Sequence, residues 1–379
     1  VNCNSNVCGE SGNITPVHGS AVLSPNTKIL TKQDIDDLLA VSSGSLTFTG
    51  GSSYAQGLEN GDIIVTGIHQ QTPQGLLRNV SSVQNNGSQF EVGTTYASLE
   101  EALQEASFAI PIQFSDDNAT IYAPLMNTET AQFPLTVYTF EHDFNNMNLY
   151  QNIITLDGSL KANLDSNLSV DISWNKIKNV RYTISGKEVL DIIVKGEISQ
   201  SLHKELPSFE PVELPSFTFF LPTVPPFPIV ITPNLNLTFG VDSSGSVSAQ
   251  VSASQSLDLE FGLEYDNGNW KKIAEIQNNF DFSPPKLGLT QGELEVYATP
   301  DFSLEIYDLI GPFGKVRGHA RTEAGYSGGI WWKLFAGLKV DAGVKVEAFG
   351  KSLANFSSTV YQYEELLASY DESCDSHTS

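Results

Sequence analysis

Residues 246–265 alternate apolar and polar side chains almost throughout, and few folds can absorb such a run. Val247, Ala249, Val251, Ala253, Leu257, Leu259, Phe261, Leu263 and Tyr265 share one parity. Ser248, Gln250, Ser252, Ser254, Ser256, Asp258, Glu260 and Glu264 share the other. A repeat of two is the side-chain period of a strand, and a helix cannot gather these residues on one face. Unbroken, the run spans about 60–70 Å, against a usual strand of ~5–6 residues. Residues 234–241 are read as its partner. Asp242-Ser243-Ser244-Gly245 lies between them with the chemistry of a turn, so the expected unit is an antiparallel hairpin of 234–241 on 246–265. Asp266-Asn267-Gly268-Asn269 predicts a second hairpin turn, of type I′. Further strands are expected at 270–277, 293–298, 303–309, 317–326, 330–340, 343–349 and 357–363.

The expected fold is mainly β, with strand exceeding helix at least about threefold. A small α+β barrel-like N-terminal module precedes a large antiparallel sheet domain, either a sandwich or an extended sheet. The divisions are a tail at 1–30, a module at 31–107, connecting strands at 108–152, the large β domain at 153–370 and a second tail at 371–379. In the module, Thr31 caps a helix at about 32–41, with Ile35, Leu38 and Leu39 as its stripe. Ser98-Leu99-Glu100-Glu101 is a capping box opening a second helix, to about residue 106. Between them come strands at 45–49, 62–66, 76–83 and 89–95. Their turns are marked by Gly50-Gly51, Asn60-Gly61 and Asn85-Asn86-Gly87.

Three stretches of this module are Gly61-Asp62-Ile63-Ile64-Val65, Gly75-Leu76-Leu77-Arg78-Asn79-Val80 and Ala97-Ser98-Leu99-Glu100-Glu101-Ala102. Together they resemble an uncharacterised module of secreted bacterial surface proteins. The resemblance covers residues 31–107. It implies an extracellular setting and brings no catalytic residues with it.

The tail at 1–30 is polar, and ordering it costs about 1–2 kcal/mol of backbone entropy per residue. It is therefore expected to be held from outside the 31–107 module, by the large sheet or by a neighbouring subunit. Ala21-Val22-Leu23 is the strand to insert, with Ile14 as a second anchor. Cys3, Cys8 and Cys374 are the disulfide candidates; all lie in terminal tails, and their pairing is open. The chain begins Val1-Asn2-Cys3, which reads as a mature chain freed of a leader. No apolar run reaches the ~18 residues of a membrane helix. The Pro-rich run at 207–233 is expected to cross the sheet outside any central strand while burying Phe217, Phe219, Phe220 and Phe227, because proline cannot donate to a ladder.

Lys and Arg number 20 against 44 Asp and Glu, a formal charge of −24. Such a chain repels phosphate, which argues against nucleic acid and against an anionic membrane surface. The six histidines show no HxxxH or HxH spacing, and no nucleophile elbow or phosphate loop is present. Carboxylates are numerous and none is singled out as a glycosidase pair. Calcium is the one metal with support. Asp143-Phe144-Asn145 offers oxygens at alternating positions and Asp116-Asp117 another pair, although neither completes an EF-hand loop. Trp331, Trp332 and Trp270 are the ligand-platform candidates; Trp331 and Trp332 are adjacent on a strand, so they point to opposite faces.

These features predict a secreted, non-enzymatic structural or adhesive surface protein, self-associating into a homopolymer by strand donation from its N-terminal tail. Alternatives are a glycan- or lipid-binding β protein, a carboxylate-dependent glycoside-active enzyme, and a pore former built on 234–265. No cofactor, or calcium alone, is expected.

Overall fold

The computed structural model describes residues 15–16, 18–113, 138–151, 153–198, 200–206, 212–213, 216–287, 291–345, 348–350 and 353–372. Strand accounts for 76% and helix for 5%, in large antiparallel sheets and a curled half-barrel. The expected fold class is what is seen.

The organising element is one continuous strand, Phe227–Asp266, of 40 residues. Its first part, Ile231 to Ser246, pairs with Gln291–Ile306. From Val247 to Asp266 it pairs with Ile177–Ile198. The strand therefore leaves one sheet and enters another. The changeover adjoins Gly245, whose φ of +77° a side chain rarely adopts. The expected hairpin is thus corrected. Residues 234–241 and 246–265 do not pair with each other, and Asp242-Ser243-Ser244-Gly245 stays in the ladder. Local turn chemistry lost to the partners waiting on either side: Gln291–Ile306 still pairs across those four residues. The parity was read correctly. Val251, Leu257, Leu259 and Phe261 are buried, as are Leu235, Leu237, Phe239 and Val241.

Around this strand stand two facing sheets. The first comprises Ile154–Ser173, Ile177–Ile198, the second part of the long strand, and Asn269–Leu287. Leu103–Gln113 and Tyr138–Tyr150 lie in tandem along its outer side, and His18–Leu23 pairs with Leu103–Gln113. The second sheet runs from the first part of the long strand through Gln291–Ile306, Leu309–Tyr326 and Ile330–Val344 to Phe356–Asp371. The short strands Leu202–Leu206, Val212–Glu213 and Phe217–Leu221 flank its other side. Across the interior, Gly314 faces Ile184 and Phe261, and Gly318 faces Leu190 and Gln255.

The Pro-rich run needs a second correction, since Pro228 and Pro233 lie inside the long strand. The ladder on the side of the short strands breaks between Ile231 and Asn234, so the missing Pro233 N–H interrupts nothing there. Phe217, Phe219 and Phe227 are buried as expected, whereas Phe220 is only half-buried.

The N-terminal half-barrel has the order Thr27–Ile29, Ile63–Thr66, Leu76–Asn85, Gln89–Tyr96, Ser45–Thr49, Leu38–Val41. Both capping boxes form, at Thr31 and Ser98, but their helices are short: Lys32–Asp36 and Leu99–Ala102. Residues 38–41 and 103–106 are strand instead. Leu38 pairs with Phe48, and Leu103 opens a strand that pairs at Ala106 with Ile172, so sheet pairing overrode the helical stripe. Leu30, Ile35, Leu46, Phe48 and Val92 form a core inside the half-barrel. Ile63, Val65, Leu77 and Leu99 instead join the sandwich core. The backbone N–H of Leu99 donates to Ala348 O and that of Glu100 to Phe349 O, each at 3.0 Å.

Candidate functional site

Two apolar clusters fill the sandwich, one containing Tyr182, Leu257 and Phe302, the other Leu160, Phe239 and Leu334. A polar and small-residue layer divides them: Glu188, Gln255, Gly318, Ala162 and Ala336. Glu188 is 2% exposed, and its Oε1 has no hydrogen-bond partner; nor does Gln255 Nε2. Glu188 is opposite Leu257 and Leu190 opposite Gln255, so the two polar side chains are diagonal neighbours on one face. Burial pushes the Glu188 carboxyl from 4.5 up to about 8. Neutral Glu188 sits in the core as a donor and acceptor, closed off from solvent.

The outer face of the second sheet carries a charge network along Leu309–Tyr326. Arg317 reaches Glu295 at 2.6 Å, with its guanidinium 3.5 Å above the Tyr297 ring. Arg321 binds Glu323 and Glu364 and lies 4.2 Å from the Phe335 ring. Burial opposes the Arg321 charge, but the carboxylates outweigh it and raise its pKa. Burial likewise acts against ionised Glu364, and Arg321 and His319 outweigh it, holding the carboxyl low. His319 places Nε2 3.3 Å from Glu364, its ring over Gly337, where a Cβ would come within 2.2 Å of it. Arg317 and Arg321 are thus neutralised by nearby carboxylates.

On the outer face of the first sheet, a groove of about 310 Å³ runs between Asp191 and Asp281, floored by Ser252 and Ser254. Asp191 is opposite Ser254, and Ser254 opposite Asp281, so the carboxylates are two strands apart. Both face solvent.

The exposed aromatics lie at the ends. Ile154–Ser173 and Ile177–Ile198 are joined by a two-residue turn with Trp174 at φ +52° and Asn175 at +54°. Two further turns share this form. Asn267-Gly268 has the residues the turn prefers, as expected from sequence. Tyr307-Asp308 holds an aromatic, but Tyr307 is buried against Val230 and Gly75. Trp174 has no such compensation and is 73% exposed. The strain is held by Asn175, whose Nδ2 donates to Ser24 Oγ (2.6 Å), Glu100 O (3.1 Å) and Leu103 O (3.2 Å). Glu105 Oε1 accepts the Trp174 N–H at 3.1 Å. Trp174→Gly is therefore expected to stabilise the protein by about 1 kcal/mol, read as a rise in the urea midpoint, because glycine adopts positive φ without strain. No gain would mean that the turn carries no strain.

Of the platform candidates, Trp270 stacks on Phe356 at 4.9 Å, closing the sandwich where the two sheets' edge strands meet. Trp331 lies over Gly325, and Trp332 stacks on Tyr370 at 6.4 Å. All three are half-buried. Trp174 is not among the platform residues expected from sequence. The available signal was Trp-Asn between two alternating runs, an uncommon pair for this turn.

Asp143 and Asn145 sit on an exposed, bulged strand rather than in a loop. The neighbouring Asn146 N–H donates to Asp157 Oδ1 at 2.7 Å. Among the described residues, no three His, Cys, Asp or Glu side chains converge as a metal site. Ala21, Val22 and Leu23 lie in His18–Leu23, paired with the chain's own Ala106, Glu105 and Leu103, and Thr27–Ile29 pairs with Ile63–Thr66, so this part of the tail is held by the 31–107 stretch and not, as expected, from outside it. Asp116, Asp117, Ile14, Cys3, Cys8 and Cys374 lie outside the described residues. Among the described residues, no helix is long and apolar enough to cross a membrane. No protein-family model, no curated protein and no solved structure matches this chain.

Proposed function

We propose that the protein is a non-catalytic structural or adhesive subunit that self-associates outside the cell. The observation that carries this reading is the edge of the second sheet. Phe356–Asp371 is 16 residues long and pairs, among the described residues, only with Ile330–Val344. An open edge presents unpaired backbone groups, and soluble proteins usually blunt it with lysine or proline. This strand has neither, and Tyr363 and Leu366 are exposed on it. Its bulges, Glu364 and Glu365, and Lys272, whose Nζ donates to Thr359 O at 2.9 Å, protect it only in part. Such an edge accepts a strand from a second copy. The extracellular setting rests on the low charge density, 17% Asp, Glu, Lys and Arg, and on the resemblance of residues 31–107.

The expected result is polymer or discrete oligomer in electron micrographs of the purified chain, and monomer for the Tyr363→Lys, Leu366→Lys double variant. A monodisperse wild-type monomer at all concentrations would reject the reading. His18–Leu23 completes the chain's own sheet, so a test of tail donation removes residues 1–14 only. The Asp191–Asp281 groove supports a second reading, glycan binding, for which saccharide binding lost in Asp191→Ala is the signature.

A further inference from the structure

The two ends of the sandwich differ in chemistry. Trp270 stacks on Phe356, so the first sheet's turns at 174–175 and 267–268 lie at the Phe356 end of the second sheet. Asp371 is at the other end of that edge strand, opposite Trp331. Fifteen residue steps separate Phe356 from Asp371, about 50 Å along the strand.

At the near end Trp174 is flanked by Lys176 and Lys178, both exposed. Among the described residues neither lysine has a carboxylate within ion-pair distance. Arg181, Lys187, Lys195, Lys271, Lys315, Arg317 and Arg321 do have one, whereas Lys204, Lys286 and Lys333 share the condition of these two among the described residues. At the far end, Tyr326 is 72% exposed, with Ile330 and Tyr370 also open. Asp371 and Glu372 stand beside them; one oxygen of Glu372 accepts the Ile330 N–H at 2.9 Å. A carboxylate has further lone pairs, so that bond does not exhaust it.

We infer that the two ends dock on each other between copies: the Trp174 turn of one chain seats on the Tyr326, Ile330 and Tyr370 rim of the next, with Lys176 and Lys178 against Asp371 and Glu372. The inference rests on the proposed self-association and names its longitudinal contact. Two copies at −24 each repel at long range. Docking therefore favours the orientation that brings the unpaired lysines onto carboxylates and covers apolar rings on both sides. The strained turn then has a reason: it holds a large aromatic outward at the tip. Because the two surfaces differ, the contact is heterologous, and unless its rotation closes a ring it propagates as an open filament.

The test is a charge swap in the full chain, read by sedimentation velocity and electron microscopy with circular dichroism as a folding control. Lys176→Glu with Lys178→Glu should shorten or abolish filaments, and so should Asp371→Lys with Glu372→Lys. The four changes in one chain should restore them, and so should mixing the two double variants, which then alternate along the filament because every contact pairs a basic end with an acidic one. The difference in assembly between wild type and either double variant should shrink several-fold between 0.05 and 0.5 M NaCl, as screening predicts (about 14 Å and 4 Å Debye lengths). Wild-type filaments unaffected by either double variant would overturn this contact while leaving self-association standing. A wild-type chain that never assembles would remove both. Binding of Trp174 to anionic vesicles or sulfated glycans, with no assembly defect in the variants, would also overturn it.

Discussion

Glu188→Gln should stabilise the protein at neutral pH by about 3 kcal/mol and leave it unchanged near pH 4. In the folded chain the carboxyl is held neutral, with its pKa pushed from 4.5 to about 8 by burial. Below pH 4.5 both folded and unfolded chains carry the proton, and the group has no pH-dependent cost. As pH rises from 4.5 to 8 the unfolded chain releases its proton and the folded one keeps it. Stability then falls by about 1.4 kcal/mol per unit and levels off above the folded pKa. Glutamine has the same shape and no charge to release, so its denaturation midpoint should lack this slope. Urea titrations of both proteins from pH 4 to 9 measure the difference directly. Parallel curves across that range would place Glu188 in contact with water or with a compensating cation. The layer containing Glu188 and Gln255 lies between the two apolar clusters, so the gain should appear as a shift of the whole sandwich transition.

Leu259→Asp should cost more, about 4 kcal/mol or above, and prevent cooperative folding at 37 °C. Leu259 is 2% exposed at the middle of the second part of the long strand, with Phe261 and Leu257 beside it on the inward face. Its strand neighbours Gly186 and Ile276 offer no cation. The adjacent Asp258 points outward, near Lys187 at 3.8 Å, so Asp258→Leu is the matched control and should change stability by less than about 1 kcal/mol. Equal melting temperatures for the two variants would mean that the parity assigned to this strand is wrong.

Parity was legible because it is local: apolar and polar residues one position apart fix which face each takes, whatever the strand pairs with. The same holds for the Asn267-Gly268 turn and the Thr31 and Ser98 caps, each set by a few adjacent residues. The candidate surfaces were less legible. Exposure of a tryptophan depends on what packs over it. Trp270 met Phe356, 86 positions away, whereas Trp174 stays 73% exposed. The buried Glu188 reads from sequence as one more acidic strand residue. Only the parity of Tyr182, Ile184, Leu190 and Ile192 around it marks its face as the inner one.

By itself, then, the sequence determined that this chain is β-rich, which residues share a face, and where several turns and caps fall, because these follow from spacings of one to four residues. The tertiary structure decided the rest. It turned an expected hairpin into a single strand of 40 residues shared by two sheets, since Gln291–Ile306 and Ile177–Ile198 supply partners that a local turn cannot. It also converted two short amphipathic stretches from helix to strand, left Trp174 and Tyr326 exposed at opposite ends, and left Lys176 and Lys178 with no ion pair among the described residues. Each of these outcomes depends on pairing between residues distant in the chain, whose free energy is realised only when the whole sandwich has closed.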